Sequence, residues 1–321
     1  RAGAGAGGAG GPRSRAGAVM ESARSKITGE EAFRGLETIL SAPQVDGDRL
    51  AAELTALKEA GVLTRWGSAR SAATGSRPIN VNQLQSIGIR NPEALAAGSV
   101  EDDLFLLVVY TLAVSLLAVV AGNTLPGQWG FFVPYLLAGS TLVLLAIGST
   151  NPGLLQIPKD RLARINPEYQ SRLARHEAAH FLAGYLLGVP VTEYSLYTPT
   201  GLSPHVEFAQ LEEELQAPGS EKKLDKTELE TMGPLAMSGL AAEGMQYDDV
   251  KGGQADLLQL QLMLDRTQPR MKATEQQDFT RWSVYRAVEL LRNNRRAHEA
   301  LIDAMKDSRS VLECIKAIEG I

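Results

Sequence analysis

From Leu104 to Pro158 the chain carries no charged residue and no histidine. Within that stretch Leu104 to Gly122 and Gly130 to Gly148 are each long enough to span a bilayer as a helix, joined by the seven-residue connection Asn123 to Trp129. The pattern predicts a two-helix transmembrane hairpin over 104–148; a hairpin buried in a soluble core is the alternative. Pro134 falls in the first turns of the second span, where it is tolerated, and Tyr110, Trp129 and Tyr135 suit interface or packing positions. Outside the hairpin the periodicity is mostly helical. Asp48 to Ala60 sets Leu50, Leu54 and Leu57 on one face, and Thr28-Gly29-Glu30-Glu31 reads as a capping box opening an earlier helix. Ser171 to Leu187 is rich in Ala and Leu, and Gly188 and Pro190 stop it. Gly188 to Tyr197 alternates like a short strand, while Leu290 to Leu301 and Leu312 to Ile318 have helical period. Residues 79–96 alternate around Pro78 and Pro92 and give no firm element.

The candidate chemistry lies in Arg175-His176-Glu177-Ala178-Ala179-His180. On a helix, residues four apart lie over one another, so His176 and His180 can share one metal ion, while Glu177 sits beside it and can take a proton from a water that the metal acidifies. Catalytic zinc usually has three protein ligands. The downstream segment with a carboxylate in helical context is Met232 to Leu264.

There the chain resembles the peptidase domain of the FtsH family of membrane-bound zinc proteases. The resemblance rests on the His-Glu-x-x-His run, on Gly239-Leu240-Ala241-Ala242-Glu243 and on Gly252-Gly253-Gln254-Ala255-Asp256-Leu257, and covers about Arg172 to Ile318. It implies a mainly α fold, a transmembrane helical hairpin followed by an α-helical zinc-peptidase domain with a short β element. It also implies Zn2+ held by His176, His180 and Asp256, Glu177 as the catalytic base, and Glu243 as the carboxylate that orients a ligand histidine. Two alternatives remain open at this level: Asp256 as a helix N-terminal carboxylate favoured by the dipole, and Glu243 as the third ligand. Ala179, Gly244 and Ala255 depart from the family pattern without removing a ligand or the base. His205, in a Ser-Pro-His-Val stretch, and His298, in a charged helix, read as solvated.

No Gly-Lys dipeptide occurs, so the phosphate-cradling motif of the family's ATPase module is missing. The resemblance therefore implies a peptidase acting on unfolded or membrane-associated polypeptides, alone, as a homo-oligomer or with a true FtsH-type ATPase. A proteolytically inactive scaffold or assembly subunit is the alternative. The organisation reads as a transit-peptide remnant or disordered arm over 1–27, a small helical region over 28–100 that would recruit a partner or pack on the membrane surface, the hairpin over 104–148 and the peptidase over 159–321. Arg1 to Met20 holds three arginines and no acid, and position 1 is not Met, which suggests a processed or partial chain. Lys159 to Arg175 carries five basic residues against two acids, placing both soluble parts on the synthesis or import side, the stroma for a chloroplast thylakoid or inner-envelope protein. The acidic stretch Glu207 to Asp225 reads as a solvated loop. The net charge of -5, without a basic cluster, speaks against nucleic acid, and a single cysteine, Cys314, excludes an intramolecular disulfide and a cysteine zinc site.

Overall fold

Asp46 accepts hydrogen bonds from the backbone N–H of Asp48 and Arg49, both at 3.1 Å, and so caps a helix over Gly47–Glu59. Leu50, Leu54 and Leu57 are buried along it, as their spacing predicts, and Gly61 leaves it at φ +74°. The computed structural model describes residues 32–70, 75–95, 100–150, 167–196, 204–209 and 223–321. The capping box at 28–31, the glycine-rich start and most of the acidic stretch lie outside these. The described chain is mainly helical: α1 (Arg34–Leu40), α2 (Gly47–Glu59), α3 (Val81–Ser86), α4 (Val100–Thr124), α5 (Trp129–Thr150), α6 (Pro167–Leu187), β1 (Val191–Ser195), β2 (His205–Phe208), α7 (Lys226–Ala236), α8 (Ser238–Gln246), α9 (Gly253–Asp265), α10 (Ala273–Asn293), α11 (Arg295–Lys306) and α12 (Val311–Glu319). The two strands pair antiparallel, with Ser195 opposite His205 and Tyr194 opposite Val206.

Helices α4 and α5 pack on each other as a hairpin, and Tyr110 Oη donates to Ser140 Oγ at 2.8 Å across it. Both are long and apolar enough to cross a membrane. Only 6% and 0% of their most apolar 18-residue windows are buried within the chain, which argues against the soluble-core alternative.

The remaining helices enclose one hydrophobic core that runs from Phe33 to Ile318, with α6 packed against α7, α8, α10 and α11. The amino-terminal residues belong to this core. Trp66 lies against Tyr185 at 5.2 Å between ring centroids. The N–H groups of Gly67 and Ala69 bond the carbonyls of Tyr185 and Leu186 at 3.0 and 2.9 Å, satisfying orphan acceptors at the end of α6. Glu319 at the far end of the chain accepts from Thr64 N, Thr64 Oγ1, Arg65 N and Tyr185 Oη at 2.7 to 2.9 Å. Gly188 ends α6 at φ +77°, the left-handed conformation that a stop glycine supplies.

Three sequence expectations are corrected. Residues 79–96 do contain a helix, α3, opened by a reciprocal cap in which Asn80 Oδ1 accepts from Gln83 N and Gln83 Oε1 accepts from Asn80 N, both at 2.9 Å. His205 begins strand β2 and is half-buried rather than lying in a solvated loop. His298 is buried at 5% exposure, because it shares the apolar face of α11 with Leu301, Ile302 and Met305, and its Nε2–H donates to Arg175 O on α6 at 3.2 Å. Burial pushes its imidazole down to about 4.

Candidate metal centre

Helix α6 carries His176 and His180 one turn apart, with ring centroids 4.9 Å apart. Ala174, Ala178 and Ala179 are fully buried beside them, small residues that let the neighbouring helices close on α6. The carboxylate comes from α9, where Asp256 stands in the first turn and is 6% exposed. His176 Nε2 and His180 Nε2 are 3.2 Å apart; Asp256 Oδ2 is 3.5 Å from the first and Oδ1 is 3.4 Å from the second. Atoms bound at roughly 2.0–2.2 Å to one tetrahedral zinc stand roughly 3.3–3.6 Å apart, so the triangle has the dimensions of a coordination face.

The hydrogen bonds around the rings decide what these atoms offer. His176 Nδ1 faces Glu243 Oε1 at 2.8 Å, and His180 Nδ1 faces Leu235 O at 3.0 Å. Each partner is an acceptor, which assigns the ring proton to Nδ1 and leaves a lone pair on Nε2. Ser238 completes the second ring: its hydroxyl donates to Leu235 O at 2.8 Å and its oxygen lies 3.1 Å from His180 Nδ1. With the rings in this tautomer, lone pairs from three residues converge, and a metal ion or a proton relieves their repulsion. The electrostatics shows that the surrounding carboxylates favour positive charge at this point. Burial pulls His176 down, but Asp256, Glu243 and Glu177 outweigh it and hold the imidazole well above its ordinary value. Burial opposes ionisation of Asp256, yet the two imidazoles hold its carboxyl well below the usual carboxylate range. A proton on Nε2 would serve one pair of atoms in this triangle, whereas a metal ion would serve all three.

Glu243 is on the far side of the His176 ring from Nε2, which sets it outside the triangle. Its two oxygens accept from Lys251 N at 3.0 Å and Gly252 N at 3.2 Å. Burial works against its charge, but the bonds from His176 and these two N–H groups hold it below its ordinary value. Asp256 is more than a dipole partner for α9, since Oδ2 also accepts from Leu240 N at 3.1 Å on α8.

The glycines follow from crowding. A Cβ on Gly239 would press on Nε2 of both imidazoles, filling the space beside them. A Cβ on Gly252 would come within 2.8 to 2.9 Å of the His176 ring and Glu243 Oε1. Gly244 is backed by Leu95 and Ile89 of the amino-terminal region, and its carbonyl accepts from Arg90 N at 2.9 Å. Ser238, Leu235 and the packing role of Gly239 were missed from sequence; the register of α7 and α8 against α6 creates them, and no local pattern signals it.

Glu177 is 6% exposed, and among the described residues no hydrogen bond reaches its carboxylate. Burial raises its pKa, against the opposing pull of His176 and His180. His205 adds a further cationic pull from β2 when protonated. Burial pushes the Cys314 thiol up to about 12 against a hydrogen bond with Tyr194, and its S–H donates to Arg309 O at 3.9 Å. No family model, curated protein or solved structure matches this chain.

Proposed function

We propose that the chain is a membrane-anchored zinc metalloendopeptidase whose 159–321 region resembles the peptidase domain of the FtsH family and which has no ATPase module among its own residues. The observation that carries the reading is the convergence of His176 Nε2, His180 Nε2 and Asp256, within 4.8 Å of one another, beside the nearly buried carboxylate of Glu177, which no hydrogen bond reaches among the described residues. His176, His180 and Asp256 would hold the ion, and the all-nitrogen-and-oxygen donor set suits zinc. When bound, zinc supplies Lewis acidity to a carbonyl oxygen and to a water. Glu177, kept basic by its burial, takes a proton from the water that attacks the peptide carbonyl and delivers it to the departing amine. Glu243 and Leu235 O keep both Nδ1 atoms protonated and both rings turned to the same point. The two-stranded sheet beside α6 offers backbone groups to an extended peptide.

The substrates in this reading are unfolded or membrane-associated polypeptides, since the chain holds no phosphate-cradling loop with which to unfold others. The hairpin α4–α5 crosses an organellar membrane, that of a chloroplast thylakoid or inner envelope, with the soluble parts on the stromal side. The scaffold alternative leaves Glu177 unexplained, because a structural zinc site has no use for a nearly buried acid beside its ligands.

The test is the metal content of the purified full chain in detergent, with zinc offered in slight excess and then dialysed away. Stoichiometric zinc in the parent and its loss in both His180→Ala and Asp256→Ala supports the assignment. Retention of zinc by both variants overturns it.

A further inference from the structure

Arg172 lies four residues before His176 on α6, one turn away along the same face. Its side chain is only 12% exposed, unusual for an arginine on an outer turn. The guanidinium is fixed from two directions. Nη2 donates to Asp249 Oδ1 at 2.9 Å, with Nη1 at a longer 3.4 Å from Asp249 O, and the cation stands 3.8 Å over the ring of Tyr247. Both partners belong to the short link between α8, which ends at Gln246, and α9, which begins at Gly253. Two further residues of that link, Lys251 and Gly252, face the metal site. Lys251 N and Gly252 N hold the two oxygens of Glu243, Glu243 holds His176 Nδ1, and Asp256 follows within the first turn of α9.

We infer that Arg172 latches the 247–252 link onto α6 and thereby sets the orientation of His176 and the placement of Asp256, acting as a positioning residue for the metal centre. The inference rests on the metal reading above. The latch joins the helix that bears two ligands to the link that leads into the third, so its release lets the two halves of the site drift apart. Its other ion pair, to Glu168 at 3.7 Å, involves a carboxylate that is 66% exposed and contributes little to this geometry. Arginine suits the role for a stated reason. A planar fork can stack on Tyr247 and bond Asp249 together, whereas a lysine ammonium offers a point charge alone.

The experiment measures zinc affinity of the full chain in detergent by competition with a chromogenic chelator, and records the visible spectrum after cobalt replaces zinc. It compares the parent with Arg172→Met, Arg172→Lys, Asp249→Asn, the Arg172→Met/Asp249→Asn double variant and Glu168→Gln. Circular dichroism confirms that each is folded at the temperature used, and Asp249, 58% exposed, gives a second reading should Arg172→Met fail to fold. Arg172→Met is expected to weaken zinc binding about tenfold, at the lower end of what loss of an outer partner costs a metal site. Asp249→Asn should lose a similar factor, the double variant no more than the larger single loss, Arg172→Lys an intermediate amount, and Glu168→Gln almost nothing. The cobalt spectrum should change in the two latch variants, a change that a purely stabilising role would not produce. Parental affinity and spectra in both latch variants would overturn the inference alone. Absence of zinc and cobalt binding in the parent would overturn the metal reading and this inference together.

Discussion

The smallest scale at which the account can fail is a single hydrogen atom on Gly239. That residue opens the space between the two imidazoles, and a methyl group there meets His176 Nε2 and His180 Nε2 on a helix, α8, that is buried and cannot retreat. Gly239→Ala is therefore expected to abolish stoichiometric zinc binding while the helical circular dichroism persists. Unchanged zinc content in that variant would show that the ligand atoms converge elsewhere. At this scale the sequence was most informative where spacing along one helix does the positioning: His176, Glu177 and His180 are legible from a five-residue run. Asp256 and Glu243 were reached through a family resemblance, and the structure now gives each a physical place, one in the triangle and one behind the His176 ring. Ser238 and the Leu235 carbonyl were illegible, because a serine and a backbone oxygen acquire meaning only once α7 and α8 are seated against α6.

Between elements, the contact of α11 with α6 illustrates both what periodicity predicts and what composition hides. The charges Arg295, Arg296, Glu299 and Lys306 suggested a solvated helix, yet Ala297, His298, Leu301, Ile302 and Met305 form its inner face. Reading the i, i+3, i+4 pattern instead of the charge density would have placed His298 inside. Its neutral imidazole, bonded to Arg175 O, has a pH consequence whose sign is definite. The folded value is lowered from 6.5 to about 4, so in that window the unfolded chain binds the proton and the folded chain does not. Stability from this residue is intact above the unfolded value and is lost as pH falls toward the folded one, by about 3 kcal/mol in total. Denaturant titrations at pH 7 and pH 5 should show a loss in the parent that is clearly smaller in His298→Gln, whose amide can still donate to the carbonyl. Parallel losses in the two proteins would mean that His298 is not the group responsible. Helix α3 teaches the same lesson from the other side: the Asn80-Gln83 cap was present in the sequence, but flanking prolines obscured it.

Taken whole, the molecule joins an apolar hairpin to a helical body whose core includes residues from both sides of that hairpin. The two apolar helices were legible, though each runs beyond the expected span at both ends, since length and the absence of charge are one-dimensional properties. The union of the amino-terminal helices with the carboxy-terminal body was not, because it depends on contacts such as Glu319 with Thr64 and Arg65, more than 250 residues apart. That union decides how function has to be measured. A fragment beginning after the hairpin would lose Trp66 from Tyr185 and the N–H groups that finish α6, so the full chain in detergent is the proper material. The decisive measurement is hydrolysis of a fluorescently labelled unfolded polypeptide by the zinc-loaded full chain, without nucleotide, beside Glu177→Gln with zinc quantified in both. Cleavage by the parent is expected, and in the variant full zinc occupancy with a rate lower by about 10²- to 10⁴-fold, the usual worth of a positioned proton-transfer group. A zinc-loaded parent that cleaves no better than Glu177→Gln would contradict the peptidase reading.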